Sequence, residues 1–580
     1  MRARRRRARR DLAPGRTRAV VLFVCVLALL FAKFAFSAET WPEDDAAADS
    51  TKTGAAAGAA AAGDAKSTTP PPPSTRDSET ADSLIRAARV AADEKRFDAA
   101  AENLRRALVL RPGDRTAWSL LARVLSWDRK FDASIATYRD LLAAHPDDAF
   151  DRAGYARVLS WSGRYEESIA EFRRAAAADS TNLETRLGLA RVRSWSGDLP
   201  GAAIEYGRIL RANPSYGDAW LGRATIERWR GAATAADRDA AKAAALGADA
   251  DALAEERRAI DRALAPSTTA GVTTSHERQR ASGAPDFTIE ESGPFGAARA
   301  TLGRAVGVGA RVAATRLFER NTRTAAGDTT LNYDLDSRSL RLDASFLRGY
   351  PVQASVAGEW RRFEARSAKV LYPRNGGDEF TGWNARVWGF AGRWTPGVTA
   401  RRTFLALKEW HAPTGTLRFE PGHLTDVEGT LDYQWNARGT ASLAGTRGET
   451  SDDNRRWRAA GTVGYRLRLA RPNVRLDYGL AFADWDRRSP SYFTPLSSTR
   501  HAGGISFGGY AEPGAVEYGA RYELSHLASS NFEDIVAHAF SGYLNGTLAD
   551  RFPLGLEASY SVDNNDYETW YVGLTGSARW

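Results

Sequence analysis

The last three hundred residues alternate between apolar and polar side chains with a period of two, and this pattern restricts the fold more than any other feature. In the final segment Trp570, Val572 and Leu574 fall on one face, and Thr575 and Arg579 fall on the other. A period of two is that of a β-strand. Strands with one apolar, charge-free face predict either a soluble sandwich or a membrane barrel.

Three features favour the barrel. Trp or Tyr recurs near strand ends, where bilayer interfaces need aromatic side chains. Short connections such as NARG (436–439) alternate with long ones such as SAKVLYPRNGGDEF and RGETSDDNRR. The chain ends on Trp580, at the last lipid-facing position, as in the C-terminal recognition signal of outer-membrane barrels. We predict an antiparallel transmembrane β-barrel of about 16 strands over residues 267–580, with a water-filled lumen.

The polar face of these strands should line the lumen. It carries both signs of charge, which favours ion pairs between strands over a ring of one sign. A general anion or cation porin is therefore disfavoured. The predicted lumen-lining residues are Asp426, Glu428, Asp432, Arg456, Arg458, Arg466, Arg468, Arg475, Asp477, Glu517, Arg521 and Glu523.

A second periodicity precedes the strands. Trp127, Trp161, Trp195 and Trp229 recur every 34 residues within similar text, such as RVLSWDRKFDASI and RVLSWSGRYEESI. A 34-residue period with small residues, aromatic residues and Pro in fixed register resembles the tetratricopeptide repeat. We predict about five such repeats over residues 81–265, forming an α-helical solenoid that binds protein or polymer. The four Trp side chains are interpreted as packing residues between helices and not as a ligand cage.

The N-terminal segment has the pattern of a signal peptide. Residues 1–18 are rich in Arg, and residues 19–32 form an apolar core that is short for a membrane-spanning helix. We predict a signal peptide over residues 1–37, with an uncleaved anchor as the alternative. Residues 38–80 are rich in Ala, Gly and Pro and are predicted to be a disordered linker.

The net charge of +9 does not indicate a nucleic-acid binder. Residues 1–37 hold nine Arg and one Lys against one Asp, so the rest of the chain sums to 9 − 9 = 0. The single cysteine, Cys25, lies in the same segment, so a mature chain would have no disulfide and no thiolate nucleophile.

Enzyme motifs are weak. The text around Ser506 matches G-x-S-x-G but sits in an alternating strand and not at a strand-to-helix turn. A surface lipid hydrolase built from Ser506, Asp534 and the two histidines His526 and His538 is the least favoured hypothesis. We expect no enzymatic activity, no cofactor and no metal site.

The signal peptide, the repeats with the text RVLSWSGRYEESIA and the C-terminal barrel together resemble the YaiO-type outer-membrane β-barrel family. They are more distantly similar to the outer-membrane exporters of cellulose and poly-N-acetylglucosamine, in which periplasmic repeats recruit polymer or enzymes and the barrel conducts the polymer. This chain has far fewer repeats than those exporters.

The resemblance implies a protein of a Gram-negative outer membrane, with its repeats in the periplasm, that assists export or assembly of an extracellular polysaccharide. Its expected partners are outer-membrane lipid, the barrel-assembly machinery and a periplasmic protein or glycan. An interaction scaffold with a non-conducting barrel is the alternative.

Overall fold

A computed structural model describes residues 75–279, 287–303, 306–321, 332–346, 352–366, 370–371, 378–411, 416–469, 472–489, 494–510, 516–530, 533–548 and 552–579. The predicted signal peptide, the linker up to residue 74 and Trp580 lie outside these residues. The described residues form two compact units: those up to Leu121 belong to the first, and those from Ala122 onward belong to the second.

Eleven helices occupy the first part of the described chain. Their bounds are α1 Thr75–Asp93, α2 Phe97–Leu110, α3 Arg115–Trp127, α4 Phe131–Ala144, α5 Ala149–Trp161, α6 Tyr165–Ala178, α7 Leu183–Trp195, α8 Leu199–Ala212, α9 Gly217–Trp229, α10 Ala233–Ala245 and α11 Ala250–Leu264. None of the described helices combines the length and the apolar content needed to cross a membrane.

The 34-residue period sets both the turns and the packing of these helices. The turn after each Trp-bearing helix contains a left-handed residue, and in the second unit Gly163, Gly197 and Gly231 take that role with φ of +79°, +82° and +80°. A fully buried aromatic side chain on one helix also covers a glycine on the next. A Cβ atom at Gly188 would lie 2.5 Å from the Phe172 ring, so only glycine fits there.

In the part of the chain that the structure describes, sixteen long strands follow, together with one strand of two residues. Their bounds are β1 Ser267–Gln279, β2 Phe287–Leu302, β3 Val306–Asn321, β4 Asn332–Phe346, β5 Val352–Ala365, β6 Val370–Leu371, β7 Glu379–Gly389, β8 Trp394–His411, β9 Thr416–Gln434, β10 Gly439–Thr450, β11 Arg455–Arg468, β12 Asn473–Trp485, β13 Ser497–Tyr510, β14 Val516–Ser529, β15 Ile535–Leu548, β16 Phe552–Asp563 and β17 Tyr567–Arg579. The short β6 pairs in parallel with β9.

The long strands form a closed antiparallel barrel. Each pairs with its neighbours in chain order, β5 pairs with β7, and β1 pairs with both β2 and β17, so the sheet has no free edge. The predicted fold, a helical repeat domain followed by an antiparallel 16-strand barrel, is confirmed.

The apolar positions of the strands face outward. Leu443, Val463 and Leu574 are 61%, 53% and 59% exposed, as befits side chains that hydrocarbon would cover. One end of the barrel carries the β7–β8 turn (390–393) and the β9–β10 turn (435–438), and β1 enters the barrel at this end. We call it the short-turn rim. The opposite end is the long-loop rim, although the connection predicted there as RGETSDDNRR is shorter than expected, because β10 and β11 extend to residues 450 and 455.

Candidate functional site

The inward face of the barrel carries a network of ion pairs that begins at Asp426. This carboxylate is 1% exposed and accepts hydrogen bonds from Arg456 at 2.7 and 3.2 Å. The guanidinium of Arg401 lies 3.5 Å from the carboxylate of Asp426 and 3.9 Å from the carboxylate of Glu428. Thr446 donates its hydroxyl hydrogen bond to Glu428 at 3.2 Å. Charges on β8, β9 and β11 are thus bound together on one wall.

Glycine makes this pairing possible, because Asp426 and Arg456 belong to strands that are not neighbours. Between them lies Gly448 of β10, which pairs in register with both residues. A Cβ atom at this position would stand 2.3 Å from a carboxylate oxygen of Asp426. The ion pair therefore crosses β10 through the space that the missing side chain leaves.

The same arrangement recurs on the next part of the wall. Arg521 of β14 donates to Asp477 of β12 at 2.6 Å across Gly504 of β13. The line of charges extends on both sides, because Arg475 donates to Asp477 at 2.5 Å and Arg521 also donates to Glu523 at 2.9 Å. These interleaved charges stiffen the inner wall and keep it hydrated without a net sign.

The other predicted lumen residues have different surroundings. Asp432 accepts a hydrogen bond from Ser442 at 2.5 Å, and Glu517 accepts one from Tyr543 at 3.2 Å. The guanidinium of Arg466 donates to a turn carbonyl at 3.1 Å. Arg458 is exposed on the same wall as Asp477. Arg468 lies opposite Val474, beyond an irregularity in β11, so the alternation of inward and outward side chains does not continue to it.

One lumen group was missed by the sequence reasoning. Glu291 of β2 is bound by Arg361 of β5, and both hydroxyls between them, Thr315 and Ser337, join the contact at 3.0 and 2.5 Å. Each residue lies on the polar side of its strand, which is the only signal that the sequence holds. Their meeting across two intervening strands follows from barrel curvature, which the sequence pattern does not display.

The repeat Trp side chains are only half covered. Trp127, Trp161, Trp195 and Trp229 end their helices and are 41–48% exposed, and Arg123 lies over the Trp127 ring at 5.0 Å. Close packing between helices falls instead to a different column, Tyr138, Phe172 and Tyr206, at 1–2% exposure.

The fourth repeat binds the short-turn rim of the barrel. Asp198, in the turn between α7 and α8, accepts two hydrogen bonds from Arg393 of the β7–β8 turn at 2.9 and 3.2 Å. Arg193 donates to the same carboxylate at 3.0 Å, and burial lowers the pKa of this guanidinium. Asp198 also caps α8 by accepting from the backbone N–H of Gly201. One buried carboxylate therefore joins a helix start, a repeat and the barrel.

Two further contacts join repeats and rim. Gln434 donates its amide hydrogen bond to the carbonyl of Gly197 at 2.8 Å. Arg438 of the β9–β10 turn donates two hydrogen bonds to the carboxylate of Glu166, one of them at 2.7 Å. This hydrogen bonding lowers the pKa of the Glu166 carboxyl, against a smaller opposing effect of burial.

The hydrolase hypothesis does not match the geometry. Ser506 pairs with Arg521 on the inward face of β13. His538 pairs with Leu524, which is opposite Gly503, three register positions from Ser506, and His526 pairs with His501, five register positions away. That separation is roughly 17 Å at 3.4 Å per residue, and the two side chains point to opposite faces of the sheet. His526 does contact Asp534, at 3.2 Å. Within the described residues, no group of three or more His, Cys, Asp or Glu side chains could hold a metal ion.

Comparisons with known proteins give one family match and several distant structural likenesses. A tetratricopeptide-repeat family model matches residues 91–157. Among solved structures, a bacterial polysaccharide outer membrane secretin aligns with 54% of this chain and 98% of its own at 11% identity and a TM-score of 0.38. YrrB, a TPR protein with an unusual peptide-binding site, aligns with 32% of this chain and 94% of its own at 16% identity and a TM-score of 0.26. No curated protein matches the sequence. Identities and TM-scores this low transfer neither substrate nor partner.

Proposed function

We propose that this protein is a non-enzymatic outer-membrane protein that assists the export or assembly of an extracellular polysaccharide, with its repeats in the periplasm. The observation that carries the proposal is the closed 16-strand barrel whose inner wall is lined by paired charges and hydroxyl groups. A barrel of this size encloses an aqueous lumen, and a wall of paired charges does not trap a polymer of one sign.

The placement of the repeats supports the orientation. The chain passes from the last helix into the first strand of the barrel at the short-turn rim. Short turns face the periplasm in outer-membrane barrels. The proposed relatives are the YaiO-type proteins, on the resemblance of the repeat text. Tetratricopeptide-type repeats mediate protein interactions, so a periplasmic protein or the polymer itself is the proposed ligand of this domain.

Gene deletion tests the proposal most directly. Deletion should lower the amount of secreted or surface-attached polysaccharide, and the wild-type gene supplied in trans should restore it. Unchanged polymer in the deletion strain would refute the export role. Single-channel recording of the purified protein should show ion conduction through the lumen.

The second candidate function is an interaction scaffold whose barrel only anchors it. The half-exposed Trp series and the repeat fold favour this alternative, because partly exposed aromatic side chains that recur in successive repeats suit a protein ligand. A scaffold predicts no conductance, and substitution of the Trp residues should then abolish function while barrel lumen variants have no effect.

A further inference from the structure

A polar recess of about 330 Å³ opens in the lumen wall beside the contact between Arg361 and Glu291. It spans β17, β1, β2, β3, β4 and β5. Its lining includes Arg311, Arg341, Glu359, Thr273, Ser339 and Tyr571. Arg311 lies five residues from the start of β3 and ten from its end, so the recess sits well inside the barrel.

The recess holds two guanidinium groups on neighbouring strands, and Glu359 of β5 is in register with Arg341 on its other side. Arg311 of β3 and Arg341 of β4 are directly opposite each other in register. Like charges at such positions repel. Among the described residues, neither guanidinium has a carboxylate oxygen within 4.0 Å, whereas the neighbouring Arg361 is bound to Glu291. Arg311 is instead held over the Phe295 ring at 3.9 Å, which fixes its orientation.

Charge counting indicates what would complete the recess. The pair of Arg361 with Glu291 is internally neutral, which leaves Arg311, Arg341 and Glu359, for a sum of 2 − 1 = +1. One bound carboxylate brings this sum to zero. Guanidinium groups bind carboxylates in a bidentate geometry, and the hydroxyls of Thr273 and Ser339 offer hydrogen bonds to the hydroxyls of a sugar ring.

We propose that this recess is a binding subsite for a sugar unit that carries one carboxylate, within the polymer that passes the lumen. The inference rests on the proposed function and names its substrate class: an acidic polysaccharide of the uronate type. Arg311 and Arg341 bind the carboxylate, and the surrounding hydroxyls bind the ring.

Binding is measured by isothermal titration of the full-length protein folded in detergent micelles. The probes are trigalacturonate, maltotriose as the neutral oligosaccharide of equal length, and acetate as a carboxylate without a sugar. Trigalacturonate should bind at least tenfold more tightly than either of the others. Equal binding of maltotriose, or binding of acetate as tight as that of trigalacturonate, would overturn the subsite.

Matched variants separate a site from diffuse charge. Arg311→Gln should weaken trigalacturonate binding at least tenfold, and Arg311→Lys should lose most of that affinity because the planar fork is gone. Arg458→Gln removes the same charge from another part of the lumen wall and should change the affinity less than twofold. An equal loss in Arg458→Gln would reduce the effect to general electrostatics and contradict the proposal. Arg341→Gln supplies a second variant if Arg311→Gln does not fold.

The same protein distinguishes failure of the subsite from failure of the proposed function. Titration needs no open pore, so absence of trigalacturonate binding refutes the subsite alone. Export is judged separately by the deletion strain. Normal secretion in the deletion strain, together with tight trigalacturonate binding, would refute the export role. The protein would then bind acidic sugars without exporting them.

Discussion

The contact between Asp198 and Arg393 should hold the fourth repeat on the barrel more strongly than any exposed ion pair at the same rim. The test is a double-mutant cycle of Asp198→Asn and Arg393→Gln in the full-length protein. Asparagine keeps the side-chain oxygen that caps α8, so the helix start is preserved. The cycle cancels the separate cost of leaving Arg193 without its carboxylate.

Burial sets the expected size of the effect. The side chains of Asp198 and Arg393 are 5% and 20% exposed, and two hydrogen bonds join them. Hydrogen bonds that involve charged groups contribute about 1.5–3 kcal/mol to stability. The coupling energy between Asp198 and Arg393 should therefore fall in that range. For Glu166 and Arg438 the carboxylate is 54% exposed, and solvent screening limits the coupling to about 0–1 kcal/mol.

The assay follows urea unfolding of the repeats by helical circular dichroism, with the barrel folded in detergent micelles. Glu166→Gln and Arg438→Gln form the matched control cycle at the same rim. A coupling energy for Asp198 and Arg393 that is no larger than that of the control pair would show that the repeats are not fixed by this contact, and the reasoning from burial would be wrong.

Three further predictions concern single residues. Gly188→Ala should destabilise the repeats by about 1–3 kcal/mol in the same urea assay, because the added methyl group meets the Phe172 ring, and an unchanged midpoint would contradict this packing. Gly448→Val should break the ion pair that crosses β10 and lower the barrel's melting temperature, whereas Gly445→Val on the outer face, with open space around it, should not. The hydrogen bond from Arg438 lowers the pKa of the Glu166 carboxyl below its ordinary value of 4.5. The contact should therefore stabilise docking fully above pH 4.5, and this stabilisation should be lost as the pH falls through the lowered pKa. Glu166→Gln should remove this part of the pH dependence when the urea assay is repeated over a series of pH values.

The barrel was predictable because its signal is local and repeated. Alternation of apolar and polar residues fixes which side of each strand faces outward, and Leu443 and Val463 lie where that pattern puts them. Strand ends were less predictable. The polar text RGETSDDNRR reads as a loop, yet β10 and β11 continue through most of it, because strands that extend beyond the hydrocarbon region need no apolar face.

The partners inside the lumen could not be predicted from alternation alone. A polar position shows that a side chain faces inward, but barrel closure and strand stagger decide which side chains meet. Asp426 and Arg456 meet across a strand because Gly448 stands between them, in register with both. Asp477 and Arg521 also meet across a glycine, but Gly504 is in register with Asp477 and Glu523, so register alone does not identify the partner of Asp477.

The contact between repeats and barrel was missed, although the sequence contains its signal. A 34-residue register aligns Arg193 with Leu125 and Leu159, and it aligns Asp198 with Lys130 and Arg164. The fourth repeat thus replaces a buried leucine by a cation and a surface cation by an acid, and the two replacements bind each other at 3.0 Å. A leucine at position 193 would need no carboxylate, and a basic residue at position 198 would repel Arg393. In this chain, two departures from the repeat pattern with complementary charge therefore mark the fourth repeat, whose Asp198 also binds Arg393 of the barrel.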